Sequence, residues 1–199
     1  MRLGVPGDKH LSMRRVIATI NTTLDAVCDH TAGVPDEEIH QYYAELLEQG
    51  GAILFGRTTF QLMEFWRTVL ENPSEEQSMN DFAAAIDKIP KVVFSRTLED
   101  VEWKSARLAL RSLEAEVLEL KNQPGKDILI GSRSLIVQLM KLGLIDELQL
   151  CIHPVVAGYG LPMFDGYETR NVLKLIKTKV FHSGAVTLYY EPVFEPLQC

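Results

Sequence analysis

The stretch Gly51-Ala52-Ile53-Leu54-Phe55-Gly56-Arg57-Thr58-Thr59-Phe60 decides how this chain folds. Its apolar half predicts a buried strand that stops at Gly56, and the residues that follow predict the start of a helix. A glycine lets the backbone approach a ligand closely, and the free amides of a helix start attract anions. With Arg57, Thr58 and Thr59 as further donors, the stretch indicates a phosphate-binding turn. The alternative is an ordinary strand-to-helix turn with polar capping residues.

Two other apolar segments end in the same way. Lys91–Phe94 is followed by Ser95-Arg96-Thr97, and Asp127–Ile130 is followed by Gly131-Ser132-Arg133-Ser134. Open α/β sheets bind ligands at the carboxyl ends of their strands. If the three strands are parallel and close, their arginines and hydroxyls surround one edge of the sheet and suit a ligand with several phosphates. Taken singly, an arginine at a strand end is more often a solvated surface charge than a phosphate ligand.

Composition and charge set the class of protein. The chain has 199 residues, of which 46% are hydrophobic, and a net charge of −7. We expect one α/β domain over residues 13–194, preceded by a flexible extension over 1–12. The acidic balance argues against nucleic-acid or anionic-membrane partners. We expect neither a secretory leader nor a membrane span, because residues 1–12 are polar and no apolar run is long enough. Three widely spaced cysteines suggest reduced thiols and a cytoplasmic location, and the histidines lack metal-ligand spacing.

Strands and helices alternate along the chain. A proline and three acidic residues at 35–38 predict a helix start, and Gly50-Gly51 predicts its end. We also expect a short helix near Phe60–Trp66, a long strand over 148–156 and a C-terminal hairpin of strands 172–181 and 185–190. The expected fold is therefore a mainly parallel sheet with a C-terminal antiparallel hairpin.

The chain resembles the riboflavin-biosynthesis reductase C-terminal-like family of the dihydrofolate reductase fold. The resemblance spans roughly residues 14–192 and rests on the order and spacing of several short segments. These are Thr23-Leu24-Asp25-Ala26, Ala52-Ile53-Leu54-Phe55-Gly56-Arg57-Thr58-Thr59, Val92-Val93-Phe94-Ser95-Arg96-Thr97, Gly125-Lys126-Asp127-Ile128-Leu129-Ile130-Gly131-Ser132, Leu144-Ile145-Asp146-Glu147-Leu148 and His153-Pro154-Val155-Val156-Ala157-Gly158-Tyr159-Gly160-Leu161-Pro162-Met163-Phe164.

The resemblance implies a three-layer domain that binds NADPH and reduces a small heterocycle. It assigns the cofactor phosphates to Gly56, Arg57, Thr58 and Thr59, the adenosine 2′-phosphate to Ser95 and Arg96, and the pyrophosphate to Gly131, Ser132, Arg133 and Ser134. It places the substrate beside Asn21, Asp25, Val156, Gly158, Tyr159 and Gly160, with Asp25 as the catalytic candidate. Acidic residues 36–38 are weaker candidates, because such residues also complement a helix dipole without doing chemistry.

The chain departs from the family pattern at two positions. Relatives usually have Ser-Leu-Asp-Gly where this chain has Thr23-Leu24-Asp25-Ala26, and Gly-Gly where it has Gly131-Ser132. Two functions therefore stay open: an NADPH-dependent reductase of a pteridine- or pyrimidine-like substrate, or a catalytically weak nucleotide-binding module or sensor. The apolar C-terminal strands and the family resemblance also predict a homodimer.

Overall fold

The structure, a computed structural model, describes residues 13–193. The expected N-terminal extension over 1–12 lies outside the described residues. Eight strands and six helices follow in sequence: β1 (Val16–Thr22), α1 (Glu37–Gln49), β2 (Ala52–Gly56), α2 (Arg57–Met63), α3 (Phe65–Glu71), α4 (Gln77–Lys88), β3 (Lys91–Phe94), β4 (Ala106–Leu108), α5 (Leu113–Lys121), β5 (Ile128–Ile130), α6 (Arg133–Lys141), β6 (Glu147–Ile152), β7 (Val172–Val180) and β8 (Val186–Val193).

The strands form one sheet in the order β4-β3-β2-β5-β1-β6-β8-β7. The pairs from β4 to β6 are parallel, whereas β8 runs antiparallel to both β6 and β7. This arrangement confirms the expected mainly parallel sheet with a C-terminal antiparallel hairpin. The central strands are apolar on both sides because helices cover both faces of a parallel sheet.

Alternate residues of β1 enter different cores. Val16 and Ala18 pack with buried residues of α5 and α6, whereas Ile17 packs with residues of α1 and α4. This division follows from the two-residue period of a strand, which sends successive side chains to opposite faces. The result is a single α/β domain of three layers: helix, sheet and helix.

A row of polar side chains lies between α1 and the sheet. Tyr189 donates to the Tyr42 hydroxyl (2.9 Å), and Tyr42 donates to Gln149 Oε1 (2.8 Å). Gln149 Nε2 then donates to Glu147 Oε1 (2.6 Å), and Arg15 pairs with Glu147 Oε2 at 3.0 Å. Desolvation raises the pKa of Tyr42 far above its usual value, so the hydroxyl keeps its proton and can donate. Burial of these groups is therefore compensated along the row.

The expected elements differ from the structure in three places. The strand expected over 148–156 ends at Ile152, because the backbone turns there and the Val155 amide bonds to the His153 carbonyl (2.8 Å). The helix expected near Phe60–Trp66 is two short helices, α2 and α3, which meet at Glu64. The three-residue strand β4, which pairs with β3, was not predicted. Within residues 13–193, no helix has the length and apolar character needed to cross a membrane.

Candidate functional site

A cleft of about 550 Å³ opens at the carboxyl ends of the parallel strands. Residues of β1, β2 and β5 form its floor, and residues of α1 to α4 form one wall. The three strands with similar endings, β3, β2 and β5, are consecutive and parallel in the sheet. Their endings therefore meet at one edge, as their repetition in the sequence suggested.

Ser132 joins the ends of two of these strands. Its hydroxyl accepts a hydrogen bond of 2.9 Å from the Gly56 amide, and the side chain is 1% exposed. Gly131 needs its lack of a side chain, because a Cβ there would lie 2.8 Å from the Phe55 ring. The substitution of serine for the second family glycine thus adds a link between β5 and β2.

The helices that start at this edge differ from α1 and α5 at their N-termini, whereas α3 and α4 also lack a capping hydrogen bond but have a glutamate, Glu64 or Glu76, at the N-cap position. α2 and α6 begin after Gly56 and Ser132, and neither has a capping side chain or an acidic residue in its first turn. By contrast, Asp36 caps α1 and Ser112 caps α5, and both of those helices begin with two acidic residues. The N-termini of α2 and α6 therefore present free amides and uncompensated positive dipole ends side by side.

The three arginines of the strand endings occupy different environments. Arg57 donates to Thr97 Oγ1 (2.7 Å) and so bridges the ends of β2 and β3. Arg133 donates to the carbonyls of Pro162 (2.9 Å) and Asp165 (2.7 Å), so its guanidinium holds the loop after β6. Arg96 is exposed, and no hydrogen bond or ion pair within the described part of the chain engages it.

The other expected cofactor residues divide between the cleft wall and its surroundings. Thr58, Thr59 and Ser134 line the cleft together with Gly131. Ser95 lies outside it, where its hydroxyl accepts from the amides of the following turn at 3.1 Å and 2.9 Å.

Asn21 lies on the cleft floor with its side chain held in one orientation. Its Oδ1 accepts from the Tyr43 hydroxyl (2.9 Å) and lies 3.2 Å from His153 Nε2. The Val34 amide donates to His153 Nδ1 (3.2 Å), which assigns the ring proton to Nε2 and makes that nitrogen a donor to Asn21. Burial lowers the pKa of His153, which favours this neutral form. The Asn21 amide nitrogen is thus left to donate into the cleft.

Asp25 lies beside the cleft and holds the loop that follows β6. Its carboxylate accepts hydrogen bonds from the Thr23 hydroxyl (2.5 Å), the Ala157 amide (3.0 Å) and the Gly158 amide (2.7 Å). These bonds, that from Thr23 first, lower the pKa of Asp25 to about 2. Asp25 is therefore ionised at neutral pH and acts as a hydrogen-bond acceptor.

The remaining loop residues expected near the substrate, Gly158 among them, do not line the cleft. Tyr159 is 88% exposed and Val156 is 71% exposed, and neither lines the cleft. Gly160 has φ of 127°, and a Cβ there would lie 2.6 Å from Val27 Cγ1. The loop instead reaches the cleft through Leu161, whose carbonyl accepts from the Cys28 amide (2.9 Å).

Several cleft residues were not predicted as part of a site. His40 lines the cleft, and its Nδ1 lies 2.9 Å from Glu76 Oε1, which also accepts from Ser78 (2.5 Å). Trp66 and Phe82 form an aromatic wall, with their ring centroids 4.4 Å apart. The helical spacing of these residues in the sequence did not separate cleft wall from core. The acidic residues around Asp36, at the start of α1, were the candidates that lie nearest to His40 in the sequence.

Lys91 is a buried basic residue that takes no part in the cleft. It lies on β3, is 1% exposed, and donates to the carbonyls of Asp87 (3.2 Å) and Ile89 (3.0 Å) and to Ser105 Oγ (2.7 Å). Burial lowers the pKa of Lys91 to about 8, whereas the neighbouring Asp87 raises it. All three donors are engaged, so Lys91 fastens the end of α4 to the sheet. Within residues 13–193, no group of three His, Cys, Asp or Glu side chains is arranged to hold a metal ion.

The parallel sheet, the antiparallel hairpin and the cleft at the carboxyl edge define a dihydrofolate reductase-like α/β domain. The chain matches the RibD C-terminal domain family over residues 14–189 and therefore belongs to that family. It is 35% identical to the uncharacterized protein YyaP of Bacillus subtilis over 185 residues, which are 91% of this chain and 96% of that protein.

Two solved structures illustrate the likeness in fold. A pyrimidine reductase-like protein from Corynebacterium diphtheriae superposes with a TM-score of 0.62 at 14% identity, covering 92% of this chain and 93% of that one. The diaminohydroxyphosphoribosylaminopyrimidine deaminase/5-amino-6-(5-phosphoribosylamino)uracil reductase of Thermotoga maritima gives a TM-score of 0.60 at 14% identity, covering 91% of this chain and 57% of that one. The family and these structures identify the fold as that of the riboflavin-biosynthesis reductases.

Proposed function

We propose that the protein is an NADPH-dependent reductase of a small pteridine- or pyrimidine-like heterocycle. The observation that carries this proposal is the pair of N-termini of α2 and α6, which lack caps and acidic residues and open on the cleft. Free amides and positive dipole ends suit a pyrophosphate, and they are costly to leave without an anion or water. The contrast with the capped, acidic starts of α1 and α5 supports an anionic ligand at this edge.

The residues around these helix starts fit NADPH. Gly56 and Gly131 keep the backbone accessible, while Thr58, Thr59 and Ser134 supply hydroxyl donors, with Ser132 holding the two strand ends together. The exposed Arg57 and Arg96 extend the positive edge toward β3, where a 2′-phosphate would be bound. When bound, NADPH would supply a hydride, which the protein would direct by orientation.

On the substrate side, Asn21 is the residue whose geometry is best defined. Two donors fix its carbonyl oxygen, so its amide nitrogen would donate to an acceptor on a flat heterocycle, such as a ring nitrogen or carbonyl. We further propose that Asp25 positions the 155–160 loop as an ionised acceptor, because its carboxylate already accepts three hydrogen bonds. In this proposal the loop has to move before its residues border the substrate. These residues are Val156, Gly158, Tyr159 and Gly160. We also propose a cytoplasmic location, because Cys28 and Cys151 are free thiols and such thiols are typical of a reducing compartment.

The experiment is a comparison of NADPH and NADH binding by isothermal titration calorimetry. We expect NADPH to bind more tightly, and Arg96→Ala to weaken NADPH by about ten- to a hundredfold, because a charge-assisted hydrogen bond contributes about 1.5–3 kcal/mol. NADH binding should be nearly unchanged. Arg170→Ala is the matched control. Arg170 is also exposed, but it lies just before β7, the strand at the other side of the sheet from β3.

Equal losses of NADPH and NADH in Arg96→Ala would overturn the assignment of Arg96 to the 2′-phosphate. Consumption of NADPH, followed by its absorbance across a panel of pterins and aminopyrimidines, then tests catalysis. Binding without consumption of NADPH would favour a binding module over a reductase.

A further inference from the structure

The inner end of the cleft has a different chemistry from its mouth. Its inner wall, by which we mean six side chains of α1 to α4 and β5, is entirely apolar: Leu46, Leu62, Met63, Trp66, Phe82 and Leu129. Five of the six are partly exposed, which means that they face open space, whereas Leu129 is buried. All of them except Leu62 join the core cluster between the sheet and α4, so the wall is well supported from behind.

Aromatic rings form the far side of this wall. The Trp66 and Phe82 ring centroids lie 4.4 Å apart with an interplanar angle of 51°. The His40 ring meets Trp66 edge-on at 5.7 Å and is held there by Glu76. A planar apolar group entering the inner end would therefore find ring faces and edges already in place.

Positive charge for a phosphate is missing at this end. Among the described residues, no lysine lines the cleft, and its basic residues are His30, His40, Arg133 and His153. Arg133 Nε and Nη2 donate to loop carbonyls, and His40 is paired with Glu76. His153 is completely buried, and His30 lies at the rim, 3.4 Å from Asp29. A phosphate placed against the inner wall would lose its water without gaining a free cation.

We infer that the inner wall binds an uncharged apolar substituent, above all an aromatic one, carried by the heterocycle, and that it disfavours a phosphorylated sugar in the same place. This inference rests on the proposed function, since the heterocycle is bound at Asn21 and the substituent extends from there to Trp66. The substrate class is thus a flat, hydrogen-bond-accepting ring with an apolar arm. It differs from the phosphoribosyl compound named for the Thermotoga maritima relative.

The test compares two ligands that share one ring: a pterin with a phenyl substituent and the same pterin with a ribose phosphate. Of the two tryptophans in the chain, Trp66 lines the cleft and Trp103 is 2% exposed outside it. Ligand binding is therefore followed by tryptophan fluorescence, first without cofactor and then with NADPH. We expect the phenyl compound to bind at least about tenfold more tightly, as burial of one aromatic group allows. In Trp66→Phe, most of the fluorescence response should be lost.

A charge-introducing variant tests the same point in the other direction. Leu62→Lys should narrow or reverse the preference for the phenyl ligand over the phosphorylated one, because it supplies the missing cation. Leu70→Lys, on the exposed part of α3 outside the cleft, should leave that preference unchanged. Melting temperatures of both variants verify that they are folded.

Equal or tighter binding of the phosphorylated ligand to the native protein would overturn the inference, and so would failure of both ligands to bind. A failure of the proposed function looks different, because it appears as absent NADPH binding in the separate calorimetric titration. The comparison of the two ligands without cofactor tests the inner wall in either case.

Discussion

Asp25 Oδ2 accepts a hydrogen bond of 2.7 Å from the Gly158 amide. This contact joins the turn after β1 to the loop after β6, which are separated by more than a hundred residues in sequence. The other carboxylate oxygen accepts from Ala157 and from Thr23. Both loops contribute residues to the lining of the same cleft, so the carboxylate ties together two segments that border it.

Replacement of Asp25 by asparagine should lower the melting temperature at neutral pH, because an amide has one acceptor oxygen and cannot accept at both Oδ1, from Thr23 and Ala157, and Oδ2, from Gly158. The folded pKa is about 2, below the value of about 3.9 in an unfolded chain. The carboxylate therefore stabilises the fold above about pH 4, and this contribution is lost as the pH falls toward 2. Thermal unfolding across this range should show that the difference in melting temperature between the native protein and the variant shrinks as the pH falls. Asp165→Asn, on an exposed side chain, is the control, and a difference independent of pH would refute the prediction.

Replacement of Ala26 by glycine should stabilise the protein. Ala26 has φ of 60°, the left-handed region that costs a residue with a Cβ about 1 kcal/mol or more. Glycine removes that cost but adds freedom to the unfolded chain, so we expect a net gain of roughly 0.5 kcal/mol. Urea unfolding measures it, and Ala157→Gly, in a loop position with ordinary φ, should instead be slightly destabilising. A loss of stability in Ala26→Gly would contradict this account.

Replacement of Lys91 by methionine should reduce the free energy of unfolding by about 1–3 kcal/mol, because the Ile89 carbonyl and Ser105 hydroxyl lose their donor in a buried place. NADPH affinity should stay the same, since Lys91 does not line the cleft. Denaturant unfolding measures the free energy of unfolding, and titration calorimetry measures the NADPH affinity. A stable variant with weakened NADPH binding would show that Lys91 serves the ligand and not the fold.

We expect a homodimer formed through the apolar face of β6, β8 and β7. Leu150, Leu188 and Val186 share this face with Leu175 and Val180, because paired residues of neighbouring strands point the same way. Leu175 is 48% exposed and Val180 is 67% exposed, so a second copy could cover them.

Light scattering should therefore give twice the 22.4 kDa mass of the chain at micromolar concentration. Leu175→Asp should shift the protein toward monomer, whereas Lys174→Asp, on the opposite face of β7, should not. A native protein that remains monomeric would exclude this assembly.

Local patterns were sufficient to predict most of the fold. The apolar segments that end at Gly56, Phe94 and Ile130 predicted three strands whose endings would share one edge if the strands were parallel and close, and those strands are parallel neighbours. The strand order, with β5 inserted between β2 and β1, depends on pairing across the whole chain and has no local signature. The short β4 has too few residues to show an alternating pattern.

The site was less accessible to sequence reasoning, because its parts come from distant segments. The partner of His40 is Glu76, 36 residues away, and the carbonyls that engage Arg133 lie 29 or more residues later. Trp66 and Phe82 have the spacing of core residues, and only the packing of α3 against α4 leaves them beside open space. Arg133 was expected to bind a phosphate, but its side chain holds a loop. This role depends on the path of residues 162–165, which no sequence motif encodes.

The polar row from Tyr189 to Glu147 fixes the position and rotation of α1 on the sheet. Apolar contacts alone would let a helix slide or roll over a sheet by a fraction of a turn at small cost, but Tyr42 can meet Gln149 and Tyr189 in one position only. The next residue on that helix is Tyr43, which orients Asn21, and His40 lies on the preceding turn. The positions of the donors in the cleft thus depend on a row of hydrogen-bonded side chains that lies outside the cleft lining.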